Sequence, residues 1–389
     1  MQIHTVAPGD TLFKIARRYS TSPMKIIENN ELENPDRLSV GQELLILTPT
    51  RTYTVRGADT LMRIADRFGV KYESLLANNP YLYGGDRIYP GQILAIKYDT
   101  PTYGLACTNG YFFKGTSEDR LSLAMPYLTY ITVACGKRNG EKIEALFDDT
   151  RVLEKAREHN KLSLMRVYDG ELNFSDGYLN NLVSCAKSRG YAGITLAPYR
   201  AMKENESALT DFLTRLKKKA SEEKLLLFCE IDGNSDERIG NICDGYVLTY
   251  EKCHLENIPS FKDGEERLMR DYSEAGEPTR TYIDLSSFGY MGDEELTTAE
   301  AERLAYDSGR EILYDEEKKI RHFDYNKYRG GKRESVRVAY ESLENIKAKL
   351  KLISELGFMG ISFDIMRVPV EYLMMFVSSF SRPNIYPDM

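Results

Sequence analysis

The ten residues GYAGITLAPY, Gly190–Tyr199, read as one buried strand: a short apolar run between glycine-bearing turns, without polar–apolar alternation. Strands buried on both faces belong to parallel sheets covered by helices. Comparable runs lie on either side of it: YGLACTNGY, YLTYITVAC, LSLMRVY, LLLFCEI, DGYVLTY, TYIDLSSFGY and GFMGISFDI, eight in all with the first. Helical stretches such as Leu179–Ser188 and Ser207–Ala220 separate many of them. This alternation predicts an α/β fold, a (β/α)8 TIM barrel over 103–389. The C-terminal ends of barrel strands carry the chemistry in such folds. Here that end shows Thr195, Ala197 and Tyr199, and no carboxylate.

One interval breaks the rhythm. The polar, Tyr-containing stretch LTTAEAERLAYDSGREILYDEEKKIRHFDYNKYRGG predicts a small α+β insertion at 290–332, between the seventh and eighth strands.

The front of the chain is a repeat. TVAPGDTLFKIARRYSTSPMKIIENN, beginning at Thr5, returns as TVRGADTLMRIADRFGVKYESLLANN, beginning at Thr54. Asp10, Ala16 and Asn30 recur as Asp59, Ala65 and Asn79, and the Gly41-Gln42 turn recurs as Gly91-Gln92. Each copy reads strand, helix, helix, strand, which predicts two small βααβ units at 1–49 and 50–98. Asp10 or Thr11 caps the first helix, whose apolar face is Leu12, Ile15, Ala16 and Tyr19. YDTPTYG reads as a linker to the barrel.

Composition narrows the function classes. A net charge of −7 over 389 residues argues against a nucleic-acid binder, which needs a basic face. The run Lys217-Lys218-Lys219 reads as a solvated helix face. Cys107, Cys135, Cys185, Cys229, Cys243 and Cys253 show no C-x-x-C pair and read as free core thiols. His4, His159, His254 and His322 are scattered, so no metal site is expected, and no cofactor motif occurs. No stretch approaches the ~18 apolar residues of a membrane span, and the start lacks a signal-peptide core. A protein made in the cytoplasm, with no membrane partner, is the expectation. There is no Trp, so stacking on a sugar would fall to the 27 Tyr and 15 Phe.

The repeat resembles LysM. That resemblance implies binding of N-acetylglucosamine polymers, peptidoglycan or chitin, in a groove between two loops. It assigns the groove to Gly9, Asp10, Thr11 and Leu12 with the loop after Asn30, and to Ala58, Asp59, Thr60 and Leu61 with the loop after Asn79. Exposed backbone groups at helix ends suit acetamido recognition. Ala58 stands where the first copy has Gly9, which implies a poorer backbone approach there.

The rest resembles the glycoside hydrolase family 18 barrels that follow LysM repeats in bacterial spore-lytic N-acetylglucosaminidases. PYLTYITVAC followed by NGE, CDGYVLTYE, TYIDLSSFGY and GFMGISFDI carry the resemblance, as does LYDEEKKIRHFDY in the insertion. The family's fourth strand bears D-x-x-D-x-D-x-E. Its Glu protonates the glycosidic oxygen while the substrate's acetamido carbonyl attacks the anomeric carbon, a scheme in which the substrate supplies the nucleophile. In this chain those positions are Ala192, Thr195, Ala197 and Tyr199, and no Asp or Glu occurs between Asp176 and Glu204. The resemblance therefore implies a degenerate, catalytically silent motif on a spore cortex or cell-wall glycan binder, with spore-coat proteins as further partners.

A residual cleft remains conceivable at Tyr250, Glu251, Glu230 and Asp364, with Asp232 and Asp284 at nearby strand ends. An active glycosidase using Glu230 or Glu251 is the alternative. Arg166, Arg200 and Arg367 are available to pair with these acids, which would leave salt bridges and loop caps instead of catalysts.

Overall fold

The computed structural model describes residues 1–79, 82, 87–98, 105–198, 201, 204–232, 241–249, 260–285, 289–292, 294–329, 332–379 and 382–384.

The first repeat pairs strand β1 (Gln2–Thr5) antiparallel with β2 (Glu43–Ile46), around helices Leu12–Arg18 and Pro23–Asn29. Thr11, not Asp10, caps the first helix, its side chain accepting from the Lys14 amide. Ser22 caps the second, with Pro23 in the first turn, where no amide hydrogen is needed. Val6, Leu12, Ile15, Ala16, Ile26, Leu44 and Ile46 form the core of this unit. The second repeat does the same with β3 (Pro49–Thr54), β4 (Ile93–Tyr98) and helices Leu61–Phe68 and Tyr72–Ala77. Leu61, Ile64, Ala65, Leu75, Leu94 and Ile96 lie in its core.

One backbone detail separates the copies. Gly9 sits at φ +80°, and Ala58 holds the same left-handed conformation at φ +66°. An L-residue with a Cβ is strained there by about 1–2 kcal/mol, whereas glycine is not. Ala58→Gly should therefore raise the stability of the second unit by about 0.5–1 kcal/mol, after glycine's larger unfolded-state entropy is subtracted. Urea unfolding followed by a probe in that unit checks this, and an unchanged or lower midpoint would refute it.

The barrel strands are β5 (Leu105–Phe112), β6 (Tyr130–Asn139), β8 (Leu162–Tyr168), β9 (Gly193–Ala197), β10 (Leu226–Asp232), β11 (Gly245–Thr249), β12 (Thr281–Asp284) and β18 (Gly360–Asp364). They pair in parallel in that order, and β18 returns to β5 to close an eight-stranded barrel. All eight predicted strands are present. β7 (Lys142–Ala145) folds back antiparallel on β6, and β19 (Arg382–Asn384) adds to the outside of β5. The barrel interior is filled by Cys107, Tyr111, Leu164, Phe228, Val247 and Tyr282, with Tyr130 at its edge. The described cysteines are free thiols; Cys253 lies outside the described residues.

Between β12 and β18 stands an antiparallel sheet of β13 (Gly289–Met291), β14 (Glu294–Leu296), β15 (Leu313–Asp315), β16 (Ile320–Arg329) and β17 (Lys332–Glu341). The helix Thr298–Asp307 packs on it through Ala301 and Ala305, and starts in a capping box between Thr297 and Glu300. β17 carries the sheet to Glu341, past the expected end at 332. Arg333–Arg337 is polar and mostly exposed, whereas Val338 and Tyr340 are buried in the insertion's core and Ala339 is buried on the opposite face.

The first repeat docks on this insertion. A Cβ on Gly41 would lie 1.9 Å from the Ile312 carbonyl oxygen, so the two backbones meet with no room for a side chain. The Ile312 amide donates to the Val40 carbonyl at 2.9 Å, and Arg321 pairs with the buried Glu43 at 2.8 Å. The second repeat rests on the barrel, where the buried Tyr127 hydroxyl donates to the Ala77 carbonyl at 3.0 Å.

Candidate functional site

The inward face of β9 follows from packing. A Cβ on Gly193 would strike Leu164 and Leu226, side chains of the barrel interior. Strand side chains alternate, so Thr195 and Ala197 face inward as well. Thr195 is fully buried, and among the described residues its hydroxyl has no hydrogen-bond partner. Ala192 precedes the strand, half-buried, its amide bonded to the Ser163 carbonyl at 2.8 Å. Tyr199 lies outside the described residues. The described part of this face thus offers no carboxylate to any ligand.

What fills the space is an ion pair. β8 and β10 flank β9, and Arg166 on one reaches Glu230 on the other. Arg166 Nη2 donates to Glu230 Oε2 at 2.8 Å and Nε to Oε1 at 2.5 Å. Glu230 is 2% exposed and Arg166 16%. The small side chains of Thr195 and Ala197 leave room for this bridge. The guanidinium also lies 5.8 Å from the ring centres of Tyr111 and Phe113, within reach of their π faces. Both carboxylate oxygens of Glu230 are engaged by Arg166.

Deeper in the barrel, Thr132 donates to Asn109 Oδ1 at 2.7 Å, and Asn109 Nδ2 donates to Ser362 at 3.1 Å. At the rim, Asp364 Oδ1 accepts from the Met366 amide at 2.9 Å, and its other oxygen lies 3.9 Å from Arg367. Arg367 also pairs with Glu295 at 2.5 Å. Asp364 is a turn cap in this arrangement. Asp284 is half-buried at the end of β12. Tyr250, Glu251 and Arg200, and the side chain of Asp232, lie outside the described residues.

The residues assigned to the two LysM grooves divide by role. Gly9 and Ala58 are exposed, and so are the caps Thr11 and Thr60. Leu12 and Leu61 belong to the cores. Asp10 accepts from the Ala7 amide at 2.9 Å and from His4 at 3.0 Å, and the amide holds its carboxyl below the ordinary range. Asp59 does the same with the Arg56 amide at 2.8 Å and the Tyr53 hydroxyl at 2.7 Å. Asn30 and Asn79 are turned inward. Asn30 accepts from the Leu45 amide at 2.6 Å and donates to the carbonyls of Ile26 and Leu45, clamping helix to strand. Asn79 repeats the clamp on Leu75 and Ala95. Asp10, Asp59, Asn30 and Asn79 thus hold the loops in shape, and Gly9, Thr11, Ala58 and Thr60 are the assigned residues left exposed.

A second cleft, of about 410 Å³, lies where the first repeat, the insertion helix and the turn after β18 meet. Glu302 and Glu371 line it, half-buried. Burial pushes the Glu302 carboxyl up, with Glu371 and Glu43 acting in the same direction. Burial also pushes Glu371 from 4.5 up to about 8; Glu31 adds to this and Arg120 opposes it. The folded chain then keeps a proton that the unfolded chain has released, so stability falls as pH rises from 4.5 to about 8. Glu371→Gln removes that contribution. Urea unfolding at pH about 5 and about 8 should show a smaller difference for the variant than for the unmodified chain, and equal differences would refute it. Sequence reading missed this cleft, because Glu31, Glu302 and Glu371 belong to separate parts of the chain.

Comparison with known proteins agrees with this architecture. The LysM domain family matches residues 4–47 and 53–97, so each repeat is a LysM domain. The crystal structure of the Bacillus cereus spore cortex-lytic enzyme SleL is similar over 99% of both chains, with a TM-score of 0.74 at 20% identity. SleL of Bacillus megaterium QM B1551 covers 98% of both chains, with a TM-score of 0.72 at 22% identity. The shared feature is the fold: tandem LysM domains before a family 18-like TIM barrel. Among curated proteins, YdhD of Bacillus subtilis is 27% identical over 240 residues, or 56% of this chain. The chain spans between 38% and 55% of the length of curated relatives such as YdhD and the endolysin of Bacillus phage B103.

Proposed function

We propose that this chain binds N-acetylglucosamine polymers, peptidoglycan or chitin, through its LysM pair, and that its barrel does not hydrolyse them. The observation that carries the second half is the inward face of β9, where Thr195 and Ala197 stand without a carboxylate. Family 18 hydrolysis needs an acid to protonate the leaving oxygen and a second to hold the acetamido group. Glu230, the buried acid nearest that face in the sheet, is tied to Arg166 through both oxygens. The alternative of a relocated acid at Glu230 loses support on that geometry.

Two linked modules on one polymer raise avidity without new contacts. The barrel then serves as a rigid scaffold, at the spore cortex or cell wall, with spore-coat proteins as its proposed partners. The SleL proteins that share the fold are spore cortex-lytic enzymes, which supports that setting. Cosedimentation with purified peptidoglycan and with chitin tests the binding half. The protein should pellet with at least one polymer and be released by soluble N-acetylglucosamine oligomers. Protein left in the supernatant with both would overturn it.

A further inference from the structure

The cleft between the first LysM domain, the insertion and the barrel is built, not left over from packing. Its walls are the loop after Asn30, the helix Thr298–Asp307 and the turn that follows β18. Arg120 ties them together: it pairs with Glu31 of the LysM loop and donates to the carbonyls of Ile365 and Val368 in the barrel turn. Gln42 Nε2 donates to Glu302 at 2.7 Å, and Ser39 donates to the Glu302 carbonyl at 3.0 Å. A volume of about 410 Å³ falls in the range of ligand clefts, and the Gly41–Ile312 backbone contact fixes its width before any ligand arrives.

Its chemistry selects a ligand class. The groups lining it are the carboxyls of Glu302 and Glu371, the guanidiniums of Arg37, Arg303 and Arg367, and Tyr306, which is 39% exposed and has Arg37 5.6 Å from its ring centre. Burial favours the neutral form of both carboxyls, so each both donates and accepts hydrogen bonds. A metal ion or cationic ligand would want ionised carboxylates. The arginines count against a cation as well, whereas a molecule rich in hydroxyl and amide groups uses these donors and acceptors together.

We propose that this cleft is a second saccharide site, which holds N-acetylated sugar units next to the stretch bound by the first LysM domain. The loop after Asn30 is a wall of both, so one chain could run from the LysM groove into the cleft. This rests on the LysM reading above.

The test uses the full chain and chitin oligomers from the dimer to the octamer, by titration calorimetry. Three proteins are compared: the unmodified chain, the cleft variant Arg303→Glu with Tyr306→Ala, and the groove variant Gly9→Arg with Ala58→Arg. The cleft substitutions lie at exposed positions, and an unchanged unfolding midpoint confirms the fold. The cleft variant should keep the affinity for short oligomers and lose about fivefold for the longest ones. Equal affinities at every length would overturn the cleft while leaving the LysM reading intact. Loss of binding in the cleft variant alone, with the groove variant unaffected, would support the cleft and count against the LysM grooves.

Discussion

Replacing Glu230 by Leu lowers the unfolding free energy of the barrel by about 3–5 kcal/mol, because Arg166 is left charged and desolvated without its partner. The pair is nearly dry, with side chains 2% and 16% exposed, and bidentate. Arg166→Met leaves the opposite charge stranded and should cost a similar amount. The double variant Arg166→Met with Glu230→Leu should recover most of the loss, since apolar side chains of similar volume replace buried ion pairs at little cost. Urea unfolding of the three variants measures this directly. A single-variant loss below about 1 kcal/mol would mean that the pair is open to water, and that Glu230 is free to do other work.

Adding bulk over the LysM grooves should have the largest effect on binding. Gly9 and Ala58 are exposed, and nothing lies within 4 Å of a Cβ on Gly9. Gly9→Arg carries only the left-handed backbone strain, about 1–2 kcal/mol. Ala58→Arg changes no backbone conformation, since Ala58 already sits at φ +66°. Each single variant should lower affinity for insoluble chitin or peptidoglycan by about 10–100-fold through lost avidity, and the double variant should abolish retention. Quantitative pull-down over a range of polymer concentrations reads this out. Full retention by the double variant would place binding elsewhere.

Much of the fold was legible because its signals are local. Apolar runs such as GITLA and GISFD, buried on both sides, announce parallel strands, and the Asp10–Asp59 and Asn30–Asn79 correspondences announce a duplicated unit. β17 was not legible: its first half, Arg333–Arg337, is charged and largely exposed, while Val338–Glu341 is buried on both faces between the insertion core and Tyr290 with Ile320, which only the partner strands reveal. The site divides the same way. The lack of acids on β9 is visible in the letters. Asn30 and Asn79 sit at helix ends, where an Asn can face solvent or turn inward, and only the strands at Leu45 and Ala95 decide it. The letters make Arg166 available to several barrel acids, and its pairing with Glu230 depends on the order of β8, β9 and β10.

The most direct measurement is release of reducing ends from purified peptidoglycan and from N-acetylglucosamine oligomers, with the bound protein quantified in the same tube. The expected result is protein retained on the polymer with no reducing ends above a protein-free control. Release that disappears on Glu230→Gln or Glu251→Gln would contradict it and make the barrel an enzyme with a relocated acid.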